Sequence, residues 1–210
     1  MTHAGRDWTV LLIGGSSGTG KTTVAEQVGR RLGVPWAQVD DFRLALQHVT
    51  SPGQQPALHF FVREPGVARD GIWAQTPETL CQGLIGLAQV VSAALDVVIG
   101  HHLATNKPIV LEGDGILPAL AARHTSVATG ASSGVRGVFL VETDEAALLA
   151  AMAERGRGYT NGLPEEQRTQ ARMNKLYGEW LGRETQRLGL PMLSSRPFDH
   201  LDDRVIAATA

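Results

Sequence analysis

The chain has 210 residues, 43% hydrophobic and 19% charged, a composition that suits one folded domain with a substantial core. A formal net charge of −2 leaves no basic footprint for nucleic acid, and a single cysteine leaves no internal disulfide to form. Cys81 lies in an apolar stretch and reads as a small core residue, and the expected compartment is the cytoplasm.

The first apolar run, Val10-Leu11-Leu12-Ile13, predicts a buried strand over 9–14 rather than a targeting signal. It leads into Gly15-Ser16-Ser17-Gly18-Thr19-Gly20-Lys21-Thr22, which fits the pattern G-x-x-x-x-G-K-[ST]. A helix follows from Lys21 to about Gly33, with Val24, Ala25, Val28 and Leu32 on one face. Only between a strand and a helix does such a string carry meaning, because loop amides and a helix N-terminus then converge on phosphates. The expectation is a bound nucleoside triphosphate cradled by residues 15–23, Thr23 included. Lys21 would meet the β/γ-phosphates and the Thr22 hydroxyl would ligate Mg²⁺.

A short strand at 36–39 then delivers Asp40 and Asp41 to its C-terminal end, the edge where parallel sheets bind ligands. A carboxylate there can accept or orient a hydroxyl proton. Strand alternation turns one of the pair toward the phosphates. Asp40 is assigned to the chemistry and Asp41 to the cap of a helix carrying Phe42, Leu44, Ala45 and Val49. The alternative is that both acids cap or form a turn. Arg43 could bind an anionic substrate group through its planar guanidinium. The segment 50–75 is rich in Pro, Gly and Gln and reads as a substrate-side insertion, with a disordered linker as the alternative.

Thr76-Pro77-Glu78 is a helix start, with a hydroxyl cap, proline in the first turn and an early acid. The helix places Leu80, Leu84, Leu87, Val91, Leu95 and Val98 along one face and ends near Asn106. Within it, 84–99 carries Gln89, Ser92 and Asp96 and falls short of about 20 clean apolar residues, so a buried helix is expected and not a membrane span. Ile109-Val110-Leu111-Glu112-Gly113 predicts a buried strand that presents Glu112 to a metal, with Asp114 able to share that role.

A short helix from Pro118, a Gly/Ser/Thr loop at 125–134, a strand at 138–141 and a helix from about Asp144 come next. That helix runs into Glu154-Arg155-Gly156-Arg157-Gly158. Arg155 and Arg157 suit a lid that neutralises transition-state charge, or else they cap a helix C-terminus. Arg168 and Arg172 are weaker candidates on the long helix 164–188, whose apolar stripe is Met173, Leu176, Tyr177, Trp180 and Leu181. A strand at 191–193 and a helix at 199–208 close the chain, and no zinc-ligand spacing occurs.

With these residues in place, the chain resembles the small P-loop metabolite kinases related to nucleoside monophosphate kinases. Within them it is most similar to the 2-phosphoglycerate kinase and chloramphenicol phosphotransferase type. Four stretches carry the resemblance: Gly15–Thr22, Val39–Arg43, Ile109–Gly113 and Arg155-Gly156-Arg157. It implies an α/β three-layer P-loop NTPase fold, one domain over 1–210, with a five-stranded parallel sheet in the order 2-3-1-4-5. Residues 43–75 would form the acceptor-binding insertion and 154–168 the lid. ATP and Mg²⁺ would serve a hydroxyl-bearing small metabolite or antibiotic, which could be anionic, with no nucleic-acid or membrane partner. Asp40 would be base or hydroxyl orienter, and Asp41, Arg43 and Arg63 would contact the acceptor. Arg196, between Ser195 and Pro197, would lie near the adenine. Related kinases often have Asp-Ser where this chain has Asp40-Asp41, so Asp41 could touch substrate instead of capping. A GTPase is excluded because Asn106-Lys107-Pro108-Ile109 lacks the guanine-reading acid. A nucleotide-binding regulator without a metabolite acceptor is the alternative class.

Overall fold

The structure is a computed structural model and describes residues 6–62, 72–125, 134–155 and 164–210. Its strands are β1 (Val10–Gly15), β2 (Trp36–Gln38), β3 (Ile109–Gly113), β4 (Val135–Val141) and β5 (Met192–Ser194). Its helices are α1 (Lys21–Leu32), α2 (Val39–Val49), α3 (Pro77–Thr105), α4 (Pro118–His124), α5 (Glu145–Arg155), α6 (Pro164–Arg187) and α7 (Leu201–Ala208). All strand pairs are parallel and the sheet order is β2-β3-β1-β4-β5, as the resemblance implies.

Side-chain alternation along β1 divides the core into two layers. Val10 and Leu12 enter one layer with α3, α4 and α6, whereas Leu11 and Ile13 enter the other with α1 and α7. A strand buried on both faces reads as an unbroken apolar run, which is why the sheet was visible in the sequence.

The 29-residue α3 is longer than its apolar run suggested, and by length and composition it could cross a bilayer. Leu80, Leu84, Leu87, Val91, Leu95 and Ile99 are instead buried in the protein's own core. Its start is as read: the Thr76 hydroxyl accepts from the Thr79 amide at 3.2 Å. Cys81 is buried within α3, and burial pushes its thiol up to about 11, with Glu78 adding to the rise and Arg183 opposing it. Thiolate is therefore scarce at pH 8. A disulfide reagent is expected to label Cys81 only as fast as the chain opens, and rapid labelling of the native protein would contradict this.

Asp96, on the same helix, joins α3 to α4 by accepting from Arg123 at 2.8 Å and His124 Nε2 at 2.7 Å. Burial acts to raise its pKa, but the two hydrogen bonds outweigh that and the net shift is downward. A depressed acid adds stability above its unfolded pKa and loses it as pH falls through the folded value. Wild type should therefore lose urea resistance more steeply below the ordinary aspartate range than Asp96→Asn; parallel curves would remove Asp96 from the acid response.

Four expectations are corrected. β2 ends at Gln38, which is the N-cap of α2, so Asp40 and Asp41 sit in a helical first turn and Asp41 is not the cap. On α2 the residues turned to the core are Phe42 and Leu46, while Leu44 and Val49 are exposed. β4 starts at Val135, three residues before the expected 138, and α7 starts at Leu201 rather than at 199.

Candidate active site

The loop between β1 and α1 closes through Gly20, the N-cap of α1, at φ 79°. A Cβ there would be strained and would also meet the Phe198 ring at 3.2 Å. Lys21, only 4% exposed, is held inside the loop: its Nζ donates to the Ser16 carbonyl at 2.8 Å and pairs with Asp114 at 2.6 Å. Thr19 also donates to that carbonyl, at 2.8 Å. The Ser16 hydroxyl is buried and has no protein partner. A buried cation and an unused hydroxyl in a loop of glycines suit the phosphates of a nucleotide.

The metal candidates meet directly. Register places Glu112 of β3 beside Ile13 of β1, and Thr22 Oγ1 donates to Glu112 Oε1 at 2.9 Å. Glu112 is 3% exposed. Burial pushes its carboxyl up, Lys21 and the Thr22 bond pull it down, and Asp114 and Asp40 raise it further. Glu112 and the Thr22 hydroxyl are hard oxygen donors of the kind Mg²⁺ takes, and among the described residues no three His, Cys, Asp or Glu side chains cluster to hold a metal by themselves.

Asp40 reaches the same rim because of Gly113. A Cβ on Gly113 would lie 2.8 Å from Val39 Cβ, so only glycine lets the first turn of α2 seat on the end of β3. Asp40 is largely exposed and accepts from Arg43 Nε at 3.1 Å. Arg43 also donates to Gln47, which in turn donates to the Leu58 carbonyl at 2.7 Å. That chain of contacts ties the insertion to α2.

A cavity of about 770 Å³ opens in front of the loop, lined on its polar side by Ser17, Thr22, Thr23, Asp40, Arg43 and Asp114. Phe61, Trp73, Leu84, Leu87, Val91 and Met173 form the apolar wall. Asp41 is exposed and does not line it. Arg196 lies outside the cavity, paired with Glu142 at 3.2 Å and stacked 4.7 Å over the Phe198 ring beside Gly20. Arg168 and Arg172 are exposed on α6. Arg63 and Arg157 fall outside the described residues, and Arg155 ends α5 with its side chain outside them.

Sequence reading missed two buried polar groups of α6 at this site. Asn174 accepts from the Ser17 amide at 3.1 Å, and Tyr177 donates to the Asp114 carbonyl at 2.5 Å. The available signal was an asparagine set among Met173, Tyr177 and Leu181 on a core-facing stripe.

Sheet order and the strand–loop–helix unit together define an α/β P-loop fold. Solved structures agree over nearly the whole chain. A gluconokinase from Sinorhizobium meliloti matches 97% of this chain and 93% of its own, with a TM-score of 0.51 at 16% identity. A shikimate kinase from Acinetobacter baumannii matches 96% and 94%, with a TM-score of 0.51 at 14% identity. No protein-family profile matches the chain. In sequence it is similar to the 2-phosphoglycerate kinase of Methanococcus maripaludis, 29% identical over 115 residues. The enzyme of the same name from Methanocaldococcus jannaschii is 27% identical over 117 residues. These matches cover 53% and 55% of this chain but only 37% of either relative.

Proposed function

We propose that the chain is an ATP-dependent kinase that transfers the γ-phosphoryl group to a hydroxyl of a small molecule. The carrying observation is that Thr22, Asp114 and Asp40 line one cavity, with Glu112 bonded to Thr22 and Lys21 paired with Asp114 at its edge. Phosphoryl transfer asks the protein mainly for alignment and charge neutralisation. Lys21 supplies a fixed cation where charge builds, at no reorganisation cost because the loop already holds it. Thr22 and Glu112 would hold Mg²⁺, with Asp114 beside them, and the ion when bound would neutralise phosphate charge. Asp40 orients the attacking hydroxyl and takes its proton. Arg155 and Arg157 add charge from the lid.

The acceptor enters against the apolar wall, and its hydroxyl faces Asp40. Arg43 is the cation among the described lining residues, set against Glu26, Asp40 and Asp114. Arg43 suits an anionic group on the acceptor, and the apolar wall suits an apolar body beside it. The test is acceptor-dependent ADP release from Mg·ATP across metabolites and antibiotics, with the phosphorylated product identified by mass. Nucleotide binding that only changes affinity for a protein partner would overturn the kinase reading in favour of a regulator.

A further inference from the structure

A buried asparagine in the middle of a helix needs an explanation. Asparagine is a poor helix former, and burying its amide is costly unless both ends are hydrogen-bonded. Asn174 of α6 is 1% exposed and meets that condition. Its Nδ2 donates to the Gln170 carbonyl at 3.0 Å and approaches Met152 Sδ of α5 at 3.8 Å. Those donor contacts leave Oδ1 as the end that faces the loop, where it accepts from the Ser17 amide at 3.1 Å. One turn on, Tyr177 is fully buried and its hydroxyl bonds the main chain of Asp114, not the loop. Asp114 in turn pairs with Lys21. One helix thus grips the phosphate loop at one point and the acid opposite it at another.

We propose that Asn174 is a positioning residue for the phosphate loop, fixing the Ser17 peptide so that the loop stands open for phosphate before any nucleotide arrives. The inference rests on the proposed nucleotide site but is testable apart from it. Without Asn174 the loop would have to be ordered by the nucleotide itself, and that ordering would weaken binding. The contact acts on donor affinity rather than on acceptor recognition.

The experiment uses the full chain and two readouts: hydrogen exchange at the Ser17 amide without ligand, and the Kd for Mg·ATP by titration. Asn174→Leu should expose the Ser17 amide to exchange and raise the Kd about tenfold, the scale of one buried hydrogen bond. Asn174→Asp keeps an acceptor oxygen and should retain Ser17 protection, which covers the case in which the leucine variant folds poorly. Its negative charge beside the loop should still weaken Mg·ATP. Leu181→Ala opens a cavity under the same helix two turns further on, so it should lower thermal stability while leaving the Kd within about twofold. Unchanged Ser17 exchange in Asn174→Leu, or equal Kd shifts in the Asn174→Leu and Leu181→Ala variants, would overturn the proposal and leave Asn174 a packing residue. Failure of the wild-type chain to bind Mg·ATP would instead sink the kinase reading, while the exchange result would still decide the role of Asn174.

Discussion

Lys21→Ala is expected to lower turnover by about three orders of magnitude or more, because one preorganised cation facing transition-state charge is worth that much in a water-poor site. The lysine is not a mobile surface group that a neighbour could replace. Its ammonium is buried, fixed by the Ser16 carbonyl at 2.8 Å and by Asp114 at 2.6 Å. In the loop it is the one described cation, since Arg43 points along α2 to Asp40 and Gln47. Arginine is no substitute, because a planar fork does not fit a point-charge seat already bounded by the loop carbonyl. The fold should survive the alanine, since the Asp114 side chain left behind is 32% exposed and can be solvated. Single-turnover ADP formation, with circular dichroism to confirm folding, measures the effect. Turnover within about tenfold of wild type would remove Lys21 from the mechanism.

The sheet and the loop were legible because their residues obey short-range rules. Val10 to Ile13 and Ile109 to Leu111 are apolar runs with glycine one or two residues on, and burial on both faces leaves no other use for them. What failed was local geometry decided by a distant partner. Val39 is β-branched and continues an extended reading, yet it is the first residue of α2, because its side chain seats where Gly113 has none. The cap thereby moves three residues back, from Asp41 to Gln38, and leaves Asp41 an exposed helical acid. The apolar stripe of α2 was likewise misjudged: Phe42 and Leu46 pack inward at i and i+4, and nothing in the run itself ranks them above Leu44.

The acids at the site were legible as types and not as a network. Glu112 was named for the metal with Asp114 as its alternate. The structure separates them, Glu112 bonded to Thr22 and Asp114 to Lys21. Asn174 and Tyr177 were invisible because their partners are main-chain groups 157 and 63 positions away, and no periodicity encodes such a contact. Arg63, Arg157 and the side chain of Arg155 fall outside the described residues, so the lid remains a proposal that rests on the resemblance alone.

Asp40→Asn should lower kcat by about two to four orders of magnitude, the usual worth of a positioned general base, while Mg·ATP affinity changes little. The amide keeps the shape and can still accept from Arg43, so positioning survives and only proton acceptance is lost. The proposed role rests on comparing the three aspartates near the loop. Asp41 is exposed and lines no part of the cavity, so Asp41→Asn should behave as wild type. Asp114 is held by the Lys21 ammonium at 2.6 Å, so its carboxylate would have to leave that pair to reach an acceptor hydroxyl. Among the described residues the polar partner of Asp40 is Arg43 at 3.1 Å, on a side chain 62% exposed. Such a pair is worth little, so an acceptor hydroxyl can displace it. An acceptor carrying an anionic group would draw Arg43 away from Asp40 and free the base as it binds. Arg43→Ala should then raise the acceptor KM and leave the ATP KM alone. If Asp40→Asn retains turnover and Asp114→Asn loses it, the proton goes to Asp114 instead, and the Lys21 pair must open before the chemistry.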